Sequence, residues 1–338
     1  MKRPTISDIA RAAGVSTGAV SYALNNRPGV SAATRARIQG IAEQLGWAPN
    51  QAARALSDGR TGAIGLVIDR PARSIGVEPY FMQLVSGIQD ALGDGTVALL
   101  LQVTDNAETE LSLYRRWWAE RRVDGVLLVD IRVDDPRIDL VTSLGLPAVV
   151  LGEPADGRPP CVWTDDAAAM DAALAHLAGL GHRRVGRVAG PAEFVHTRSR
   201  TRFFADSAAR LGLDAAPVAT ADYSAEDAAR ATRSVLMAPD PPTALVFDND
   251  VMAVAALGVA HELGLSVPGE LSLVAWDDSA LCGLVRPALT AVRLPIAERG
   301  AEAVRMLLDV VAGVQVGHRV TENAVLVPRG TTGPPRRR

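Results

Sequence analysis

Residues 5–24 read Thr5-Ile-Ser-Asp-Ile-Ala-Arg-Ala-Ala-Gly-Val-Ser-Thr-Gly-Ala-Val-Ser-Tyr-Ala-Leu24, followed by Val30-Ser31 and then by Asn50-Gln-Ala-Ala-Arg-Ala-Leu56. Thr5 and Asp8 are the cap and carboxylate of a helix start, and Ile6, Ile9, Ala10 and Ala13 give that helix an apolar face. Gly14 stands where the helix must stop and turn. Ser16 caps a second helix with Val20 and Leu24 inward, and Val15 precedes it as a hydrophobic staple. Ser31 caps a third, with Ile38, Ile41 and Leu45 at near-helical spacing. Two short helices joined by a glycine turn make a helix-turn-helix, whose second helix enters the major groove of DNA. Any small capped bundle shares the helix–Gly–helix pattern, so the assignment rests on the whole string.

The charge distribution agrees. Residues 1–60 hold eight Lys/Arg against three acids, a balance of +5, and the rest of the 338-residue chain carries −8. A basic head on an acidic body suits phosphate contact at the head alone. A solvated charged face would give the same count, so charge only supports the motif.

From residue 62 onward short apolar strands alternate with helical stretches. Strands are predicted at 64–68, 97–101, 125–129, 148–151, 185–188, 244–247 and 271–275. Helices are predicted at 81–92, 108–121, 167–180, 225–237, 251–263 and 296–311. This alternation implies parallel α/β sheets covered on both faces, with ligands bound at the carboxyl ends of strands.

The N-terminal string closely resembles the DNA-binding domain of the lac repressor (LacI/GalR) family of bacterial transcription regulators. The resemblance continues to about Pro328 through Val123-Asp-Gly-Val126, Gly181-His-Arg-Arg184, Asp248-Asn-Asp250, Val267-Pro-Gly-Glu-Leu-Ser272, Trp276-Asp-Asp278 and Pro287-Ala-Leu-Thr290. It implies a helix-turn-helix domain over 1–48 and a hinge helix and linker over 49–61. A two-lobed effector-binding and dimerisation domain of the type I periplasmic-binding-protein fold then spans 62–328. The N-lobe is expected at about 62–161 plus 291–321, the C-lobe at about 163–290 plus 322–328, and a proline-broken disordered tail at 329–338.

By the same resemblance Thr5, Ser16, Thr17, Gly18, Ser21, Tyr22, Asn25 and Arg35 face DNA, with Thr17, Gly18 and Tyr22 toward the bases. Ser16, Ser21, Asn25 and Arg35 are phosphate anchors, which position without specifying. Gly18 offers no side chain, so direct readout is modest. Asn50, Ala53, Arg54 and Leu56 form a hinge that folds on the operator, with Leu56 wedged into the minor groove. Asp58 is unfavourable near DNA.

The resemblance also implies an effector site at Tyr80, Phe81, Asp165, Arg200, Tyr223, Asn249 and Asp277. Arg200 would grip the effector through its fork of donors, although Arg198 and Arg202 alternate with it and the register decides. Asn249 could instead only cap the next helix, as could Asp165. Glu153 could select a cation or an extra hydroxyl, or be plain surface, and His182 reads as a surface or capping group. Acid, amide, arginine and an aromatic wall together suit a sugar. A purine, nucleoside or other metabolite is the alternative.

There is no run of 18 apolar residues, no export signal, no nucleophile elbow and no Walker or zinc motif, and Cys161 and Cys282 stand alone. The expectation is therefore a cytoplasmic repressor without enzymatic activity or cofactor. It acts as a homodimer on a palindromic double-stranded operator and is released by a small sugar-like effector. A corepressor-dependent regulator is the runner-up, and a solute receptor without a DNA role stands further off.

Overall fold

The computed structural model describes residues 4–47, 59–71, 76–93, 95, 97–154 and 159–336. It divides into two compact units at Thr61/Gly62.

The first unit holds three helices, α1 (Ile6–Ala13), α2 (Thr17–Leu24) and α3 (Ala32–Gln44). Thr5 and Asp8 close a full capping box, Gly14 ends α1 at φ 60°, and Ser16 and Ser31 cap α2 and α3. Each cap satisfies amides that a helix start leaves without partners. Ile9, Ala10, Ala13, Val20, Ala23, Ile38 and Ala42 form the core. Two inward assignments shift. Ala23 is buried where Leu24 was expected and Leu24 is only half-buried, while Leu45 is 42% exposed and Trp47 packs on the core instead. A helix period of 3.6 over such short elements rotates the end positions off the face.

The second unit carries two sheets. The first has the order β12-β5-β4-β3-β1-β2, from β1 (Ala63–Asp69), β2 (Ala98–Thr104), β3 (Gly125–Leu128), β4 (Ala148–Leu151), β5 (Cys161–Trp163) and β12 (Arg319–Val320). The other has the order β13-β11-β10-β9-β6-β7, with β8 (Ala219–Thr220) also on β6. Its strands are β6 (Arg184–Ala189), β7 (Asp214–Ala215), β9 (Ala244–Phe247), β10 (Ser272–Asp277), β11 (Thr290–Arg293) and β13 (Val325–Val327). All pairs are parallel except β11 with β13. The helices are α4 (Pro79–Leu92), α5 (Ala107–Ala119), α6 (Pro136–Leu144), α7 (Asp166–Gly179), α8 (Val195–Arg210), α9 (Ala225–Leu236), α10 (Asp250–Glu262), α11 (Ala280–Leu284) and α12 (Ile296–Val311). α4 and α12 pack with almost no gap. A Cβ at Gly87 would strike the Ala297 carbonyl, and one at Gly300 would meet the Leu84 carbonyl.

The lobe boundaries differ from the expected ones by two or three residues. β5 runs to Trp163 in the first sheet and β11 runs to Arg293 in the second, because Asp277 still pairs with Arg293. The chain therefore crosses after 163, after 293, and between β12 and β13. The tail is a clearer correction. Residues 329–336 are not a loose end. Thr331 is fully buried, its amide carbonyl accepts from Leu273 N and its hydroxyl donates to Leu273 O at 2.7 Å. Thr332 meets His176 and Thr290, and Gly333 meets Ser272. Two threonines and a glycine strap the tail onto the second sheet through hydrogen bonds, which composition alone reads as disorder. His182 is likewise corrected. It is buried among Thr243, Ser272 and the Gly333 carbonyl, and burial lowers its pKa, so it is a neutral knot beneath the tail.

Candidate functional site: a reading face and a two-lobe cleft

On the first unit, Thr17, Gly18, Ser21, Tyr22 and Asn25 recur at helical spacing along one face of α2. Thr17, Gly18 and Asn25 are exposed, and Tyr22 is 46% exposed. A Cβ at Gly18 would meet only the Ser16 hydroxyl at 3.8 Å, so the face is open there. The Tyr22 ring lies over Gly29, whose φ of 111° and missing Cβ permit the contact. Thr5 and Ser16 are exposed, with hydroxyls engaged in caps. Ser21 accepts from Asn25 Nδ2 at 3.4 Å. Arg35 departs from expectation. Its guanidinium donates to Ala23 O, Asn26 Oδ1 and Arg27 O, bracing the end of α2 rather than standing free for phosphate. Asn50, Ala53, Arg54 and Leu56 lie outside the described residues.

In the second unit a cleft opens between the lobes at the carboxyl ends of the strands, with about 830 Å³ of empty space partly open to solvent. The first lobe contributes Arg70 after β1, Glu78, Tyr80 and Phe81 at the start of α4, Asp130 after β3, and Glu153 after β4. The second contributes Asp166, His196 and Arg200 on α7 and α8, Tyr223 after β8, Asp248 and Asn249 after β9, and Asp277 at the end of β10. Asp130, Tyr223 and Asp277 have φ of 50°, 70° and 81°. Non-glycine residues in that region are strained and collect where a site holds them.

Of the three alternating arginines, Arg200 faces the cleft. Arg198 is exposed and donates to Ala192 O, and Arg202 is exposed over Phe203. Arg200 donates from Nε to Asp166 at 2.6 Å and lies 4.9 Å from the Trp276 ring. Burial opposes its charge, but Asp166, Asp248 and Asp277 outweigh that and raise its pKa. Asn249 is both things the sequence allowed. Its Oδ1 caps α10 by accepting from Met252 N, while Nδ2 is buried at the cleft with no hydrogen bond among the described residues. Asp165 is only a cap, accepting from Ala167 N and Ala168 N. Its neighbour Asp166 takes the cleft position, because the cap turns the first side chain back over the helix end. Asp277 is buried, which pushes its carboxyl well above the usual range against the pull of Arg200. Glu153 is not plain surface, since it accepts from Ser199 Oγ across the lobes at 2.8 Å.

The aromatic wall is present but already covered. The Tyr223 hydroxyl bonds His196 and Thr197, and its ring packs where any Cβ at Gly190 would collide. Arg70 lays its guanidinium 4.7 Å from the Phe194 ring, 5.2 Å from Tyr223 and 5.7 Å from Phe81, and pairs with Asp130 at 2.7 Å. Burial, helped by Arg200, lowers His196 to about 4, so it is neutral. Burial raises Glu78 to about 7 against the opposing Arg70. The lobes also touch through the backbone, Val133 N donating to Glu193 O and Val195 N to Ile131 O.

Residues 5–50 match the model for bacterial regulatory proteins of the lacI family, and residues 174–332 match the periplasmic binding protein-like domain. The HTH-type transcriptional regulator MalR of Streptomyces coelicolor is 33% identical over 340 residues, covering 97% of this chain and 96% of that one. The chain belongs to the lacI family of bacterial regulators. Among solved structures, this lacI-family chain is similar to the lac repressor dimer bound to operator and the anti-inducer ONPF, with a TM-score of 0.87 and 26% identity over 98% of this chain and 100% of that one. It is also similar to the transcriptional regulator CelR–cellobiose complex, with a TM-score of 0.74 and 29% identity over 97% and 100%. The family fold, a DNA-binding head and a two-lobed α/β body, is thus established, and the protein is a DNA-binding transcription regulator. Sequence reading did not find Arg70, Glu78, Asp130, Asp166, His196 or Arg299 in this regulator's cleft. Their common signal is position just past a strand end or in a helix's first turns, which many unrelated residues share.

Proposed function

We propose that this regulator represses carbohydrate-utilisation genes and is released from a palindromic operator by a small sugar-like effector held between the lobes. The observation that carries the reading is the composition of the cleft. Arg200 from α8 and Asn249 and Asp277 from two strand ends belong to one lobe, and Tyr80, Phe81 and Glu78 come from the other. A ligand touching both sets must prefer one lobe arrangement, which is the requirement for coupling. Hydroxyl pairs match the Arg200 fork, the Asn249 amide and the buried Asp277 carboxyl, and the similar CelR structure holds cellobiose. A homodimer joined through the N-lobes presents two heads to two half-sites, as the lac repressor dimer on its operator does. The protein works in the cytoplasm, and no catalytic role is assigned to it. No described helix is long and apolar enough to cross a membrane.

Operator binding by the purified protein, with single sugars, nucleosides and purines added, tests this. Release by a sugar is the expected result, and tightening by a purine would make it a corepressor system. Arg200→Ala should abolish the response with operator affinity kept. An unchanged response would remove Arg200 from the site.

A further inference from the structure

Around the cleft, most charged side chains have an ion-pair or hydrogen-bond partner among the described residues. Arg70 pairs with Asp130 at 2.7 Å, Arg200 with Asp166 at 2.6 Å, and Asp248 with Arg187 at 2.6 Å. Glu153 has the Ser199 hydroxyl. Glu78 and Asp277 are buried carboxyls, and burial favours their neutral, hydrogen-bonding forms. Arg299 has no such escape, because a guanidinium keeps its charge at any pH the protein meets.

Arg299 sits in the first turn of α12 and lines the cavity, and it is only 9% exposed. Its Nε is buried without a hydrogen-bond partner, and among the described residues its side chain makes no ion pair or hydrogen bond. Its field reaches the Tyr80 hydroxyl and the Cys161 thiol. Burial holds both above their ordinary pKa, Cys161 at about 11, so both are neutral. The mount is rigid, since the glycine contacts of Gly87 and Gly300 seat α12 directly on α4. A buried charge left without a counter-charge costs stability. The cost is reasonable where a ligand supplies the missing partner, because function is the common reason for such a defect.

We infer that Arg299 is the docking point for an anionic group on the effector, a carboxylate or phosphate carried by a polyhydroxylated body. This rests on the reading of the cleft as the effector site. The hydroxyls face Glu78, Asn249 and Asp277, the two carboxyls being shifted by burial toward their protonated, hydrogen-bonding forms. The oxyanion takes the Arg299 fork, which matches it in planar, two-point fashion.

Calorimetry on the full chain tests this with matched sets: glucose, glucuronate and glucose 6-phosphate, and galactose, galacturonate and galactose 6-phosphate. Wild type, Arg299→Gln and Arg299→Met are compared. One acidic or phosphorylated member should bind about tenfold or more tightly than its neutral counterpart, and both variants should erase that preference. Which member binds tells carboxylate from phosphate. Without any sugar, both variants should melt at a higher temperature than wild type, because the uncompensated charge is gone. A merely structural arginine would give the opposite, so a lower melting temperature overturns the inference. A neutral sugar that binds as well as its acid, or a preference that survives Arg299→Gln, overturns it too and leaves the cleft reading standing. No binding by any member overturns this inference and the carbohydrate reading together.

Discussion

Single residues set the chemistry of the cleft, and Glu78 shows how. Its carboxyl is pushed up to about 7 by burial, with Arg70 opposing and Asp130 and Asp250 adding to the rise. A folded-state pKa above the unfolded one means the native state holds the extra proton. Stability from this group is therefore present at low pH and is lost as pH climbs from about 4.5 to 7. Glu78→Gln should flatten that part of the stability curve and raise the melting temperature at pH 8, measured by thermal unfolding across pH. A variant with the wild-type slope would place the titration elsewhere. Residue-level legibility was uneven. Arg200, Asn249 and Asp277 could be named because they match the family's effector contacts, although the sequence left Arg198 and Arg202 as alternatives to Arg200. Arg299 could not, since a lone arginine in the first turn of an amphipathic helix looks like solvated surface until the fold turns it inward.

At the scale of elements, apolar runs bounded by turns were read well. The strand at 148–151, the strand at 244–247 and the helix at 296–311 have the observed limits. α8 was missed because its buried positions include Thr197, Ser199, Arg200 and Ser207, which break any apolar period. α6 was missed because it is short and opens on Pro136. α6 nonetheless governs the touch between the lobes. Arg137 in its first turn and Arg132 just before it converge on the fully buried Glu110, with Arg137 at 2.7 Å and also paired to Asp135. That network fixes the turn at 130–135, which supplies the backbone bonds to residues 193–195 and the Asp130 partner of Arg70. Glu110→Ala removes the carboxylate the two guanidiniums share, leaving Arg132 with Asp69 and Arg137 with Asp135, and should cost about 1–3 kcal/mol. Urea unfolding reads this directly, and a loss below about 1 kcal/mol would show the network to be dispensable.

Over the whole molecule, sequence gave two units and the order of the lobes, and erred on the last residues. Composition measures only what a segment could bury by itself. Thr331 to Gly333 bury nothing apolar, but they complete hydrogen bonds that the edge of another segment leaves open. Arg329 extends the same strap, pairing with Asp278 at 2.5 Å beside Asp277 in the cleft. Ending the chain before Arg329 should lower the melting temperature of the body by several degrees and weaken the effector response. Salt-sensitive DNA binding by the head should survive. Equal melting temperatures for the two lengths would show the strap to be incidental.

The interleaving of the lobes also bears on how the protein is made. The first sheet needs α12 and β12 from 296–320, and the second needs β13 and the strap from 325–333. Neither lobe can be finished while the ribosome is still in the last tenth of the message, whereas the head has its whole core by residue 47. During synthesis the part that reads DNA matures long before the part that controls it. A transcript broken late in the gene would therefore yield a folded head on an unfinished sensor, a product that can touch DNA phosphates but lacks the finished N-lobe through which two heads are proposed to pair on the operator.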